Sequence, residues 1–216
     1  MANGVDYIIF TDGSVLRKTK HAQTHAGYGV VLYNVATHQY TTFGGELGTR
    51  TIAFAEAWAI HKGLAILASL VSKPASILVL SDSKICVLSL TQYIHAWLKS
   101  AGKDNVWYTA DHHPVQNQVI YKLIQHTIKT HPKLTVQISH INSHLLDKEH
   151  GRIATKLAQA GFHVDEQTAK AIIKMNALAD SVATKYSHQL EDAATKNHFF
   201  QLQPTKAYYQ ERMMRK

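Results

Sequence analysis

Two short apolar runs that each stop at an aspartate constrain this chain most: Val5–Thr11, before Asp12-Gly13-Ser14, and Ile77–Ser81, before Asp82. The first is β-branched and aromatic and ends in a turn signal. The second is apolar from Ile77 to Leu80, as suits a strand covered on both faces. Between them Gly27–Tyr33 and Gln39–Phe43 read as two further strands, near enough in sequence to form an antiparallel meander with the first. Thr51 then caps a helix over Ile52–Leu70, rich in Ala, Leu and Ile with no glycine before Gly63. Three strands, a long helix and a buried strand imply an α/β domain with a mixed sheet.

The rest of the chain extends that order. Helical segments are expected over Lys84–Thr91 and Ile94–Ser100, and a further helix from Pro114 through Lys129. Leu134–Ile138 is a fifth strand, Leu145–Lys174 carries helix-forming and polar residues broken at Gly161-Phe162, and a final helix spans Ala169 to about Leu190. The expected fold is a five-stranded mixed sheet with helices on both faces. It occupies residues 1–191, and a weakly periodic tail, 192–216, ends in basic Arg212–Lys216.

Composition removes other classes. With 216 residues, 45% hydrophobic and 18% charged, the chain can bury a full core, which excludes a disordered chain or a collagen-like fibre. The single Cys86 excludes an internal disulfide and a cysteine-based zinc site, and fits a packing residue in a reducing compartment. The net charge of +8 favours a polyanionic partner, nucleic acid being the commonest. The N-terminus lacks signal-peptide character and Ala65–Val71 is too short to cross a bilayer, so no membrane is expected and the setting is intracellular. The pairs His112-His113 and His140/His144 lack partners at zinc spacing and read as loop histidines.

Asp12 and Asp82 end strands, and Glu56 lies in the first turn of the helix between those strands. If the two strands are neighbours, the three carboxylates converge. Asp180, in Asn176-Ala177-Leu178-Ala179-Asp180, is a fourth candidate on the last helix. Each alone has a bland role, as a turn residue, a helix cap or a solvated helix position. Together they repel one another and require cations, and hard oxygen ligands suit Mg²⁺ or Mn²⁺. Two such ions about 3.5–4 Å apart form the clamp used for in-line phosphodiester displacement.

The strings Thr11-Asp12-Gly13-Ser14, Ala55-Glu56-Ala57, Ser81-Asp82-Ser83 and Asn176–Asp180 resemble, in order, the four acid motifs of type 1 ribonuclease H. Tyr93–Trp97, Trp107–Asp111 and Pro114–Asn117 resemble the handle of the bacterial and cellular enzymes and the helix after it. The resemblance implies endonucleolytic hydrolysis of the RNA strand of an RNA/DNA hybrid, leaving 5′-phosphate and 3′-hydroxyl ends. It further implies that Asp12 bridges both metals. Asp180 completes the site of the ion that activates water, and Glu56 and Asp82 hold the ion at the leaving oxygen. His144 matches a loop histidine that assists protonation or product departure. Substrate contacts fall on Gly13, Ser14, Thr51 and Asn117, with Trp97 and Trp107 either lining a channel for the DNA strand or packing between short helices.

Two departures stand out. The family's polar run before the helix glutamate is here Thr51-Ile52-Ala53-Phe54-Ala55, leaving only Thr51 as a contact. And 36 positions separate His144 from Asp180, an insertion at about 145–170 that contains Asp147, Glu149, Asp165 and Glu166. Asp180 is preferred to these as the fourth ligand because Asn176 precedes it by one helical turn. The alternatives are a ribonuclease H domain of a reverse transcriptase or mobile element beside a polymerase, a related two-metal junction resolvase, and a non-catalytic hybrid-binding domain. A monomer is expected.

Overall fold

The computed structural model describes residues 4–16, 25–102, 105–143 and 150–193. His144, Lys103, Asp147, Glu149 and the tail after Ala193 lie outside the described residues. Five strands form one sheet: β1 (Tyr7–Leu16), β2 (His25–Asn34), β3 (Tyr40–Gly48), β4 (Ala75–Ser81) and β5 (Leu134–His140). Their order is β3-β2-β1-β4-β5. The meander β1–β2–β3 is antiparallel, whereas β4 lies parallel to β1 and β5 parallel to β4. The mixed sheet follows from the connections: short turns join the first three strands, and helical crossovers join the parallel ones.

Helices cover both faces. On one lie α1 (Ile52–Leu70), α2 (Lys84–Leu88), α3 (Ile94–Ser100) and α4 (Gln118–Thr130), with a π-helical turn, Ser89–Tyr93, between α2 and α3. Their core joins Ile9, Val30, Val79, Ile60, Leu64, Ile120 and Ile124. On the other lie α5 (His150–Gln159) and α6 (Glu166–Ala193), closing over Ile8, Phe10, Leu78 and Leu80 with Ile153, Leu157, Phe162 and Ile172. Residues between β5 and α6, with α6 itself, therefore complete this second core. Alternation along β1 assigns Ile9 to one layer and Ile8 and Phe10 to the other, as a strand buried on both faces requires. Helix α1 alone is long and apolar enough to cross a membrane among the described residues, and half of its apolar window is buried in the domain.

Three expectations need correction. β1 does not stop at Asp12 but pairs with β2 as far as Leu16; what ends there is its pairing with β4, at Thr11 opposite Ser81. A Gly-Ser pair reads as a turn in isolation, but a neighbouring strand satisfies its backbone here. Pro114 does not open a helix: it forms a bridge with Tyr108 in a hairpin turning through His112, and Asn117, in the left-handed region at φ 56°, delays α4 to Gln118. The last helix starts at Glu166, three residues early, because Asp165 caps it by accepting a 2.6 Å bond from the Thr168 N–H.

Candidate metal centre

The site forms where β1 and β4 part. Asp12 follows the last β1–β4 pair and Asp82 follows β4, so both side chains emerge at adjacent strand ends. The third carboxylate arrives from α1. Its N-cap Thr51 accepts a bond from the Phe54 N–H, which sets the start of the helix, and Glu56 sits just past the first turn. Gly13 permits the approach: a Cβ there would lie 2.5 Å from the backbone nitrogen of Glu56. Carboxylate oxygens of Asp12, Glu56 and Asp82 lie within 4.8 Å of one another.

This arrangement has a high electrostatic cost without a cation. Asp12 and Glu56 are each only 8% exposed, and Glu56 Oε2 is buried with no hydrogen-bond partner. Burial, then the charges of Asp82 and Asp180, pushes the Asp12 carboxyl up to about 8. Burial, then the charges of Asp12 and Asp82, raises Glu56 well above the ordinary carboxylate range, against the Gly13 backbone N–H. Asp82 is raised chiefly by burial, with the charge of Asp180 adding to it. Three converging carboxylates and an orphaned buried oxygen fit a hard divalent ion. These three residues can coordinate such an ion, and Mg²⁺ or Mn²⁺ suits the donor set.

A pH dependence follows. Below about pH 4 Asp12 is protonated in both folded and unfolded chains. As pH rises toward 8 the unfolded chain releases a proton that the metal-free fold retains, so stability falls across that window. Divalent ions displace that proton, so the gain in Tm on adding Mg²⁺ should grow over the same range. Melts in chelator and in Mg²⁺ check this. A chelator series whose Tm is level between about pH 5 and 8 would mean that the carboxylates are not crowded.

Asp180 projects from α6, exposed, and is near enough for its charge to raise Asp12, Asp82 and Glu56. Buried Asn176 precedes it by one turn. Asp165 and Glu166, by contrast, are engaged elsewhere, as the cap of α6 and in an ion pair with Lys170.

The expected substrate contacts divide. Thr51 and Asn117 line one groove of about 390 Å³ with Val15, Thr49, Arg50, Ile52 and Phe54. The Arg50 guanidinium stands 5.1 Å over the Phe54 ring, so the segment lacking the family's polar run presents a cation on an aromatic instead. Ser14 faces away from this groove: its Oγ accepts a 3.0 Å bond from Ser187 on α6. Gly13 is buried beneath α1. Trp107 is 3% exposed, with its ring 6.3 Å from that of Trp97, which makes it a packing residue and not a wall for a nucleic-acid strand. Trp97 is half-buried against Tyr93 and Tyr121, so the aromatic cluster ties α3 to α4.

One participant escapes the sequence reading. His140 ends β5, and its Nε2 lies 3.2 Å from the Asp82 carbonyl oxygen. Only the parallel register, which sets Ser81 opposite His140, brings the two together.

Comparison with known proteins agrees with this geometry. The family model RNase H matches residues 5–163, ending before α6. The Ribonuclease H of Dechloromonas aromatica is 29% identical over 123 residues, 57% of this chain and 73% of that protein. The Ribonuclease H of Shewanella loihica is 28% identical over 156 residues, 71% of this chain and 88% of the relative. Among solved structures, the foamy viral protease-reverse transcriptase in complex with RNA/DNA hybrid shares the fold, with a TM-score of 0.59 and 17% identity. That match covers 86% of this chain and 20% of the viral one, so the chain spans about a fifth of that protein's length. With the family model covering most of the chain, and a sheet that brings three acids to one point, this protein belongs to the RNase H family.

Proposed function

We propose that this chain is a metal-dependent endonuclease that hydrolyses the RNA strand of RNA/DNA hybrids, leaving 5′-phosphate and 3′-hydroxyl ends. The observation that carries the reading is the Asp12–Glu56–Asp82 cluster, with its unpartnered Glu56 oxygen, inside an RNase H fold. Asp12, Glu56 and Asp82, with Asp180, would hold two Mg²⁺ or Mn²⁺ ions. When bound, such ions supply positive charge to the scissile phosphate and lower the pKa of water.

The chain's own residues do the remainder. Asp12 would be the shared ligand: it stands at the strand end beside Asp82, within reach of Glu56, and carries the charges of Asp82 and Asp180. Asp180, exposed on α6, faces solvent from which the attacking water enters. His144, just past β5, serves protonation or product departure. Thr51 and Asn117 meet the minor groove of the hybrid, where 2′-hydroxyls distinguish RNA. A setting beside a polymerase within the cell is a second form of the same reading, favoured by the likeness to a viral reverse transcriptase.

The test is a cleavage assay on labelled RNA/DNA hybrid, single-stranded RNA, duplex DNA and duplex RNA, with Mg²⁺ or chelator. Cutting confined to the hybrid's RNA strand and abolished by chelator is expected. Equal cutting of single-stranded RNA, or full activity in chelator, would refute the reading.

A further inference from the structure

The insertion that separates β5 from Asp180 does more than complete a core. Along α5, Ile153 and Leu157 are buried against Leu80 and Ile141, whereas Arg152 and Lys156 are exposed one turn apart. The helix, HGRIATKLAQ, contains no acid. Its two cations border a cleft of about 40 Å³ shared with Leu80, His140, Ile141 and Asn142, at the ends of β4 and β5.

Hydrogen bonds tie Lys156 to the backbone of the strand ends that carry the site. Lys156 Nζ donates a 2.9 Å bond to the His140 carbonyl, and the His140 ring bonds the Asp82 carbonyl, so the ammonium is two hydrogen-bonded contacts from Asp82. Lys84 opens α2 two residues after Asp82, so a further cation stands at the same strand end. A cationic rim therefore adjoins the acidic centre on its β5 side. The Thr51–Asn117 groove lies on the other side, toward β1 and β3.

We propose that α5 is a phosphate-binding arm: Arg152 and Lys156 hold the sugar–phosphate backbone of the strand lying on the carboxylates, on the side away from the Thr51–Asn117 groove. This rests on the nuclease reading for the strand's identity, and on geometry and charge for the contact. A nucleic-acid strand presents a negative charge about every 3.4 Å of axis, so a strand anchored at Asp82 brings further phosphates past α5. Arg152 offers a fork of donors suited to phosphate oxygens, and Lys156 a point charge already positioned by β5.

The experiment measures affinity for a fluorescent RNA/DNA hybrid in chelator, by anisotropy across a KCl series, for wild type, the Arg152→Gln/Lys156→Gln double variant and Lys156→Arg. The double variant should bind about tenfold more weakly near 0.1 M salt, with a log–log salt slope shallower by about 1.5–2; Lys156→Arg should keep the wild-type slope. Melting temperatures are read alongside, because a purely structural role for Lys156 lowers Tm and leaves the slope alone, which would overturn the arm. If the double variant does not melt cooperatively, the single Arg152→Gln is read instead, with an expected slope change of about 0.7–0.9. Wild type cutting the hybrid in Mg²⁺ while the double variant keeps its slope would sink the arm and leave the nuclease reading intact. Wild type cutting no hybrid while the double variant still loses slope would sink that reading and support the arm as a nucleic-acid contact.

Discussion

Asp12→Asn is expected to lower hybrid cleavage at least about a thousandfold while leaving the protein folded and able to bind hybrid. The substitution exchanges one carboxylate oxygen for an amide nitrogen of nearly the same size, so packing around a residue that is 8% exposed barely changes. What changes is charge. Asp12 lies among the carboxylates, crowded by the charges of Asp82 and Asp180, and in the proposed reading its own charge serves both cations. An amide cannot hold a hard cation with comparable strength, and a phosphodiester step deprived of that support loses several kcal/mol.

The same substitution separates a catalytic effect from a structural one. Metal-free Asp12 holds its proton up to about pH 8, so the neutral amide replaces an already neutral group and removes the charge that would appear above it. Asp12→Asn should therefore melt at or above the wild-type temperature in chelator near neutral pH, and should lose most of the wild-type response of Tm to Mg²⁺. Hybrid affinity in chelator near neutral pH should hold, since the amide replaces a carboxyl that is already neutral there, and should rise only above about pH 8, where wild-type Asp12 becomes an anion facing the phosphates. Asp147→Asn, in the insertion, should keep most of the activity. The site assignment is wrong if Asp12→Asn retains more than a few per cent of activity while Asp147→Asn abolishes it.

Much of this site is legible in the sequence because its acids sit at the ends of elements whose types are plain. The β-branched run before Asp12 and the apolar run before Asp82 declare strands, and a glycine-poor stretch after Thr51 declares the helix carrying Glu56. Convergence then needs only that β1 and β4 be neighbours, as they are. Contacts set by long-range register were not legible. His140 reads as one more histidine near a loop, and only pairing between β4 and β5 sets it beside Asp82. For Trp107 the sequence leaves a channel wall and a packing residue equally open, and the Tyr108–Pro114 bridge beside it, with its ring near that of Trp97, decides for packing. Ser14 follows a glycine and reads as a turn, but α6 claims its hydroxyl from residues 170 and 173 positions away. Local pattern reports element type; which side chains meet across elements depends on the sheet order.

That α6 lies so close to the sheet leads to the second large effect. Gly29 stands opposite Asp12 on β2, and a Cβ there would fall 2.1 Å from the Ala179 carbonyl oxygen and 2.7 Å from the Ala183 nitrogen, both backbone atoms of α6. Backbone of a packed helix cannot move aside as a flexible side chain can, so Gly29→Ala forces the whole helix outward. Overpacking of this kind costs about 1–3 kcal/mol or more. For a domain of this size that corresponds to a Tm lower by roughly 3–10 °C. The displaced turn carries Ala179 next to Asp180, so the fourth carboxylate shifts relative to the other three. A misplacement of about 1 Å can cost on the order of a hundredfold in rate, and cleavage should fall further than the loss of folded protein explains. Gly151→Ala is the contrast, since a Cβ there meets nothing within 4 Å and lies at the start of α5. It should be neutral or raise stability by up to about 1 kcal/mol, as expected for a helical glycine replaced by alanine. Thermal melts and hybrid cleavage of the two variants, measured at a temperature where both are folded, decide the matter. Equal Tm and equal activity would mean that α6 is not seated on Gly29, and that Asp180 is not delivered to the site by this packing.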